Sequence, residues 1–476
     1  MELRLVGSEM CIRDSLESVS EILLREKAHG ILLQFGGQTA INLALPLSDS
    51  LPHLEKLGLS MIIEGTTPEA VDEASDRKRF EDFAERCQLK MPRGMTATDP
   101  EGVRKAASSI GYPVLIRPSY VLGGRGMEIL SNDRQLETYM SEAYLSPDRP
   151  LLIDEYLGNA VELDVDAVCD GEEVLIGAIM EHLEEAGIHS GDSTCFIPPQ
   201  NISESVLSQV EEWATIIGLE LGIRGCYNIQ FAIRDEELFV LEVNPRGSRT
   251  FPFVAKATGV PLARIAARVA LGEKLSSLDI PEPQTEAVSV KAPVFPFIKL
   301  RGLDPAPGPE MKSTGEVMGS HVRPAAAYLK ARMATELPVP TSGGVYITVK
   351  DKDKKGTIVL AKRLQDMGFK IYATPGTASV LRENGSVDVD TCYRIEDRKS
   401  PDALDLMRRG MIQLVINTPT ATGGAVLDGN MMRRLAVELN IPFVTTMAGA
   451  KMEVEAIAEM QLGTPEPRLL EISTLE

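Results

Sequence analysis

Short apolar runs alternate with stretches of helical spacing along most of this chain, and this alternation most constrains its fold. Strands are predicted at 30–34, 114–116, 151–153, 345–349, 370–373, 413–416 and 442–445. Helices are predicted at 206–221, 262–271, 357–367 and 431–439. Strands that alternate with helices favour a parallel sheet that helices cover on both faces. The pattern therefore predicts an α/β protein.

Two further segments alternate residue by residue. In 161–167 apolar residues alternate with acidic ones, so we expect one face of this strand to be in contact with solvent. Residues 227–232 and 238–243 also alternate, and the polar stretch 234–237 separates them. Two alternating runs joined by a short polar turn predict a β-hairpin.

Charge and proline divide the chain. With 476 residues we expect about three domains. The whole chain has 49 Lys and Arg against 69 Asp and Glu, a net charge of −20, whereas residues 341–476 have 17 against 18, a net of −1. The acidity therefore lies in the first 340 residues, at −19. Seven prolines between Pro281 and Pro309, and a second break from Pro338 to Gly344, indicate a boundary before a separate C-terminal unit.

Composition excludes several classes of protein. The acidic total argues against a nucleic-acid binder, and no apolar run approaches the roughly 18 residues that span a bilayer. Residues 1–15 are acidic and have no apolar segment, so they do not predict a secretory signal. The six cysteines form no Cys-x-x-Cys pair, which favours a reducing cytoplasm, and the five histidines have no paired spacing. We therefore expect any metal to be a hard cation on oxygen ligands, such as Mg²⁺.

The hairpin carries the first candidate site. Glu242 and Asn244 lie two residues apart, hence on one face of their strand, and a paired register could bring Gln230 beside them. Three oxygen-bearing side chains, one of them anionic, suit a Mg²⁺ ion held between protein and phosphates. The alternative is a half-exposed hairpin whose polar residues are merely solvated.

Two arginines follow directly. Arg246 and Arg249 lie just beyond Pro245, which stiffens the backbone. Two guanidinium groups in this position can clamp anionic oxygens in a planar, two-pronged way that lysine cannot. The alternative is a pair of surface arginines in a turn.

Further polar segments are weaker signals. A glycine-rich stretch, 117–126, follows a strand and begins with Arg117; glycines there let backbone N–H groups approach a polyphosphate, although no Walker sequence is present. Glu155 and Glu162 flank a strand edge whose backbone can hydrogen-bond an adenine, and one carboxylate there can hold a ribose. The segment 187–193 predicts a loop that contains His189. No nucleophile with an adjacent base is apparent, which favours ligation or phosphoryl transfer.

Four long motifs resemble one protein family, and their order along the chain makes the likeness specific. The motifs are Arg117-Pro-Ser-Tyr-Val-Leu-Gly-Gly-Arg125, Gly187-Ile-His-Ser-Gly-Asp-Ser193, Glu242-Val-Asn-Pro-Arg246 and Lys256-Ala-Thr-Gly-Val-Pro-Leu262. They resemble the C-terminal half of the carbamoyl phosphate synthetase large chain. The likeness runs from about Leu16 to the end, and the stretch 309–318 extends it towards the family's regulatory domain.

The resemblance implies a fold and an activity. The fold is an ATP-grasp domain, in which two α+β lobes close on ATP, preceded by a truncated Rossmann-like pre-grasp domain and followed by a methylglyoxal-synthase-like domain. The activity is the phosphorylation of carbamate by ATP, which yields carbamoyl phosphate and ADP in a glutamine-hydrolysing ligase of arginine and pyrimidine biosynthesis.

The resemblance also implies site residues. The positions that match ATP contacts are Arg77, Arg117, Glu155, Leu157, Glu162, Gly187, Ile188, His189, Ser190, Gln230 and Glu242. Those that match ligands of Mg²⁺ or Mn²⁺ are Gln230, Glu242 and Asn244, and K⁺ is a further candidate ion. Arg246 and Arg249 match residues that hold the carbamate and the transferring phosphoryl group.

The C-terminal unit resembles the family's allosteric domain, which implies a nucleotide effector of unspecified identity. Its candidate residues either follow predicted strands or add positive charge for an effector phosphate, namely Lys354, Thr374, Thr377, Arg394, Asn417 and Thr418. The Asp-rich catalytic stretch of a true methylglyoxal synthase is not visible, which favours regulation over catalysis. The alternative is that these turns merely close a Rossmann-like sheet.

The expected organisation is a non-family segment at 1–15, a pre-ATP-grasp remnant at 16–75, an ATP-grasp domain at 76–280, a connecting region at 281–340 and the allosteric domain at 341–476. The family's preceding half-chain is absent, so we expect a truncated gene model that is incomplete for the full synthesis. The implied partners are a glutamine amidotransferase small chain, the missing half and further copies in an oligomer, without nucleic acid or membrane. Two alternatives stay open: an effector-binding regulatory fragment without turnover, and another ATP-grasp ligase.

Overall fold

The structure is a computed structural model that describes residues 15–118, 126–142, 150–284, 286–297, 304–335, 337–419 and 424–463. These residues form two compact units. The first unit takes the described residues up to 115, from 145 to 181 and from 197 to 285, and the second takes the others. Among the described residues, no helix combines the length and the apolar character needed to cross a membrane.

The helices and strands of the described residues follow the alternation along most of the chain. The helices are α1 (Leu16–Glu26), α2 (Gly37–Ile41), α3 (Ala44–Lys56), α4 (Pro68–Ser75), α5 (Arg77–Arg86), α6 (Pro100–Ile110), α7 (Asp133–Glu142), α8 (Glu204–Glu220), α9 (Phe251–Thr258), α10 (Leu262–Ala270), α11 (Pro324–Ala334), α12 (Thr357–Asp366), α13 (Pro375–Gly385), α14 (Ala403–Arg408), α15 (Gly424–Glu438) and α16 (Met447–Gln461). The strands are β1 (Gly30–Leu32), β2 (Ile62–Glu64), β3 (Gly94–Ala97), β4 (Val114–Pro118), β5 (Glu128–Leu130), β6 (Leu151–Glu155), β7 (Val161–Cys169), β8 (Val174–Glu185), β9 (Cys195–Ile197), β10 (Gly225–Arg234), β11 (Glu237–Asn244), β12 (Val288–Val294), β13 (Gly315–His321), β14 (Gly344–Thr348), β15 (Lys370–Ala373), β16 (Val389–Thr391), β17 (Leu414–Asn417) and β18 (Phe443–Val444).

The predicted hairpin is confirmed as β10 and β11 of the first unit. The two strands are antiparallel, and the turn between them consists of Asp235 and Glu236, both with positive φ. Two consecutive residues of this kind form the tight turn whose twist matches that of the strands. On its other edge β10 pairs antiparallel with β7, so the hairpin extends into a three-stranded layer.

The layer has an apolar and a polar face, and a β-bulge in β11 sets which residues of that strand lie on each face. Gln230 pairs with Glu242, but the next residue, Phe231, pairs with Val240, which leaves Leu241 as the extra residue. The bulge shifts the phase of the alternation by one residue. Val240 and Val243 consequently both belong to the hydrophobic core, whereas Glu242 lies on the opposite face.

The prediction that the acidic face of β7 is in contact with solvent is wrong. Glu162, Asp164 and Asp166 are buried, and Asp166 has no exposed surface. Alternation shows which side chains share a face, but it does not show what covers that face. Here the segment 246–250 contributes Ser248 and Thr250, whose hydroxyl groups bind the carboxylate of Asp166.

The C-terminal part of the second unit is the parallel sheet that the sequence predicts. Its strand order is β16-β15-β14-β17-β18, and the paired registers are all parallel. A hydrophobic cluster lies on each face: Val345 and Ile347 of β14 belong to one, and Tyr346 belongs to the other. Helices contribute to both clusters, so the sheet is covered on both faces as expected.

The connecting region contains regular structure that sequence reasoning did not predict. β12 and β13 pair antiparallel, and α11 packs on them in a further hydrophobic cluster. Pro293 lies within β12. The prolines of 281–309 predicted only a boundary, and β12 within that stretch was not predicted.

Candidate functional site

Polar side chains from three strands lie side by side on the polar face of the first unit. In the register, Gln230 lies between Asp164 of β7 and Glu242 of β11. One row further on, Asn228 lies between Asp166 and Asn244. Directly opposed residues of antiparallel strands have their side chains on the same face. The predicted neighbourhood of Gln230, Glu242 and Asn244 is therefore confirmed, and the structure adds Asp164, Asp166 and Asn228 to it.

The three candidate metal ligands form an oxygen-rich, half-buried set. Asn244 donates from Nδ2 to Oε1 of Glu242 at 3.0 Å, and its own Oδ1 accepts from Arg246 at 2.9 Å. One carboxylate and two amide oxygens are ligands that suit a hard cation such as Mg²⁺. In the part of the chain that the structure describes, no three His, Cys, Asp or Glu residues are grouped so as to hold a metal. A cation at this site would therefore need the amide oxygens as well as Glu242, and further oxygen ligands from the phosphates of a bound molecule.

Arg246 is held in place by its surroundings. Its Nε donates to Oε1 of Gln38 at 3.0 Å, and its terminal nitrogens donate to Asn244 and to the carbonyl of Gly247. Burial lowers the pKa of this guanidinium, although the nearby carboxylates of Glu242 and Asp166 oppose that effect. Arg249, three residues further, is exposed. Of the predicted pair, Arg246 is thus half-buried and Arg249 is exposed.

The first unit also holds Arg77, Glu155, Leu157 and Glu162. Arg77, the first residue of α5, donates to Glu81 at 2.6 Å and to Asp154 at 2.9 Å. Leu157 is buried in the loop after β6, and Glu162 is buried on β7. Each of these side chains therefore has a defined position in the fold.

Glu155 is held between two guanidinium groups. Arg93 lies 3.0 Å from one carboxylate oxygen and Arg234 lies 3.1 Å from the other. Burial alone raises the pKa of Glu155, but the hydrogen bonds from the two arginines outweigh it and lower the pKa below its ordinary value. The carboxylate is therefore ionised and oriented at neutral pH.

The second unit holds Arg117 and the loop 187–190. Arg117 is half-buried on β4, while 119–125, the rest of its predicted glycine-rich segment, lies outside the described residues. The backbone of His189 donates to the carbonyl of Gly308 at 2.9 Å, and the buried Lys291 donates to the carbonyl of Ser190, also at 2.9 Å. Gly187 has φ +93°, a conformation that side chains disfavour. Gly187, Ile188, His189 and Ser190 thus form the predicted loop.

The six residues predicted for an effector site all line one cavity of about 250 Å³ in the second unit. Thr374 begins α13 and makes no capping bond to the helix backbone, and Thr377 lies in its first turn. Lys354 approaches so closely that a Cβ atom on Gly376 would lie 3.0 Å from its ammonium group. Asn417 ends β17 and Thr418 follows it, and Arg394 also lines the cavity. A helix N-terminus, hydroxyl groups and two cations are the groups that commonly bind a phosphate.

Three family models match the chain in succession. They describe the carbamoyl phosphate synthase preATP-grasp domain at residues 11–73, the ATP binding domain of the carbamoyl-phosphate synthase L chain at 76–278, and an MGS-like domain at 356–445. The chain belongs to the carbamoyl phosphate synthase large-chain family. It thus combines a pre-ATP-grasp, an ATP-grasp and an MGS-like domain, as the fold prediction stated.

Two large chains of this family illustrate the likeness. The carbamoyl phosphate synthase large chain of Methanothrix thermoacetophila is 48% identical over 451 residues, which are 94% of this chain and 41% of that protein. The large chain of Methanoculleus marisnigri is 46% identical over 456 residues, 95% of this chain and 42% of that protein. The chain therefore spans about two fifths of the length of these relatives.

A solved structure supports the fold alone. N5-carboxyaminoimidazole ribonucleotide synthetase from Thermus thermophilus superposes with a TM-score of 0.50 at 16% identity, over 67% of this chain and 84% of that one. At this identity the likeness concerns architecture only.

Several residues of the carbamoyl phosphate synthase domains escaped the sequence reasoning. Asp154 binds Arg77, Gln38 binds Arg246, and Arg93 binds Glu155 across 62 positions of sequence. In the C-terminal cavity, Lys350 and Asp428 join the predicted six. Long-range pairing of this kind leaves no local spacing pattern. The sequence offered one signal for these partners: Asp154 directly follows the predicted strand 151–153 and directly precedes Glu155.

Proposed function

We propose that this chain carries the ATP-dependent phosphorylation of carbamate to carbamoyl phosphate, as the C-terminal part of a glutamine-hydrolysing carbamoyl phosphate synthase large chain. The observation that carries the proposal is the polar row of Asp164, Gln230 and Glu242, with Arg246 bonded beside it, within a domain of this family. In the proposal, a small chain supplies ammonia from glutamine and a preceding half-chain supplies carbamate.

The proposed division of roles follows the chemistry of each group. Gln230, Glu242 and Asn244 would hold Mg²⁺ or Mn²⁺, which would neutralise charge on the nucleotide phosphates. Arg246 and Arg249 would orient the anionic carbamate and the transferred phosphoryl group. In phosphoryl transfer, such positioning and charge neutralisation account for most of the catalysis. Such chemistry uses arginine side chains and oxygen ligands of a metal, and it needs no nucleophilic side chain.

The reverse partial reaction tests the proposal directly. The chain, incubated with MgADP and carbamoyl phosphate, should form ATP, and a chain extended at its N-terminus to the length of the relatives should do so as well. Absence of ATP formation by both proteins would refute the proposed activity.

A matched pair of variants then tests the metal site. Glu242→Gln removes the one anionic ligand and should raise the Mg²⁺ concentration required for half-maximal rate by at least about 10-fold, corresponding to about 1.4 kcal/mol. Glu237→Gln is the control, because Glu237 lies on the same strand, half exposed and paired with Lys90. An unchanged Mg²⁺ dependence in Glu242→Gln would count against the assignment.

The cavity of the second unit favours a further function, the binding of a nucleotide effector. Its cations and the start of α13 suit the phosphate of a nucleotide. Calorimetry of the whole chain with nucleoside 5′-monophosphates, and with the matching nucleosides as controls, tests this. Binding that does not depend on the phosphate would refute it. Nucleotide binding by a chain that forms no ATP would instead favour the regulatory fragment without turnover.

A further inference from the structure

The segment 246–250, which carries both candidate substrate-binding arginines, is tied to β7 by a buried carboxylate. Ser248 donates to Oδ2 of Asp166 at 2.8 Å, and Thr250 donates to the same oxygen at 2.7 Å. The other oxygen, Oδ1, accepts from Nδ2 of Asn228 at 3.0 Å. Asp166 thus binds the segment through one oxygen and the adjacent strand through the other.

The hydroxyl of Thr250 binds Asp166 and does not cap the helix that follows. Thr250 occupies the N-cap position of α9, where a threonine hydroxyl usually accepts a hydrogen bond from the helix backbone. It makes no such bond here: its backbone is already helical, with φ −77° and ψ −12°, and its hydroxyl donates to Asp166. Helix α9 therefore has no side-chain cap from Thr250, and the segment before the helix is bound to the carboxylate of Asp166.

The beginning of the same segment is held from another side of the first unit. The backbone carbonyl of Gln34 accepts from the N–H of Gly247 at 2.9 Å, and Nε2 of Gln34 donates to the carbonyl of Pro245 at 3.3 Å. Nε2 of Gln34 also donates to Thr66 at 2.8 Å, which fixes its amide. Together with Asp166, this contact restrains both ends of 245–250.

We propose that Asp166 is a positioning residue, which holds the segment 246–250 so that Arg246 and Arg249 are presented to the anionic substrate. This inference rests on the proposed function for the identity of that substrate. The position of Asp166 in the register, one row from Gln230, places the anchor beside the candidate metal ligands without making it one of them. Three hydrogen bonds to the carboxylate oppose part of the cost of burying it.

The test compares Asp166→Asn with a control at a second hydrogen-bonded carboxylate nearby in the chain. Asp170 lies at the end of the same strand and accepts from the backbone N–H groups of Glu172, Glu173 and Leu275, so it supports structure away from the arginines. In the reverse reaction of the whole chain, Asp166→Asn should raise the KM for carbamoyl phosphate by about 10-fold, the equivalent of one charged hydrogen bond. The dissociation constant of MgADP should stay at the wild-type value, and Asp170→Asn should leave the KM for carbamoyl phosphate unchanged.

A second readout does not depend on activity. Hydrogen exchange of the peptide that contains 246–254 should be faster in Asp166→Asn than in the wild type, and unchanged in Asp170→Asn. Ser248→Ala is a milder variant that keeps the bond from Thr250, and it should change both measurements in the same direction. Wild-type KM and wild-type exchange in Asp166→Asn and Ser248→Ala would overturn the inference, as would an equal rise of KM in Asp170→Asn. A wild-type chain that forms no ATP refutes the proposed function instead, and the exchange experiment still decides whether Asp166 anchors the segment.

Discussion

Glu453 provides the most direct quantitative test of the second unit's packing. Its carboxylate is fully buried on α16, where it accepts from Tyr328 at 2.8 Å and from Nε of Arg332 at 3.1 Å. Both partners lie on α11. We expect Glu453→Gln, which keeps the shape of the side chain but removes its charge, to destabilise the contact between the two helices.

The expected magnitude follows from what the substitution leaves behind. The guanidinium of Arg332 is only 11% exposed and would keep a neutral partner. Removal of one member of a buried ion pair typically costs about 3–5 kcal/mol. We expect the lower end, about 3 kcal/mol, because glutamine still offers an oxygen to Arg332. This corresponds to an increase of somewhat more than about 100-fold in the opening equilibrium.

Native-state hydrogen exchange of the peptides from α11 and α16 measures this local opening. Glu459→Gln is the matched control, because Glu459 pairs with Arg323 between the same two segments, and Arg323 is 52% exposed against 11% for Arg332, so the loss should be smaller. The double variant Arg332→Met with Glu453→Leu should recover much of the loss, since it removes both buried charges. If Glu453→Gln changed exchange no more than Glu459→Gln, the reasoning would be refuted.

Two further predictions concern the cavity and the polar face. Lys354→Ala should weaken the binding of a nucleoside 5′-monophosphate by about 10-fold in calorimetry, since it removes the cation beside Gly376; Lys352→Ala, outside the cavity lining, should not. Burial raises the pKa of Asp166 to about 6, against the opposing hydrogen bonds of Ser248 and Thr250. A raised carboxyl pKa means that the folded chain retains this proton longer than the unfolded one, so the contribution of Asp166 to stability is complete below about pH 4 and is lost as pH rises through about 6. Urea unfolding between pH 4 and 7 should show this decline, and Asp166→Asn should remove that part of it; an identical pH profile in the variant would contradict the assignment.

Local patterns predicted the elements well and their surroundings poorly. Alternation in 161–167 correctly indicated a strand with its acidic residues on one face, yet that face is buried. At Asp166 the covering residues are Ser248 and Thr250, more than 80 positions further along the chain. The bulge at Leu241 was equally invisible, because an extra residue changes which face a side chain occupies without changing the composition of the strand.

The sequence by itself determined the succession of strands and helices, the presence of the hairpin, and the residues around the C-terminal cavity. These features depend on hydrophobic periodicity, on turn chemistry and on motifs that are contiguous in the chain. Only the tertiary structure decided which carboxylates are buried and what holds them. The pairing of Glu155 with Arg93 and Arg234, and of Asp166 with Ser248 and Thr250, joins residues 62 to 84 positions apart. Such contacts depend on how elements pack, and packing is a property of the folded chain as a whole.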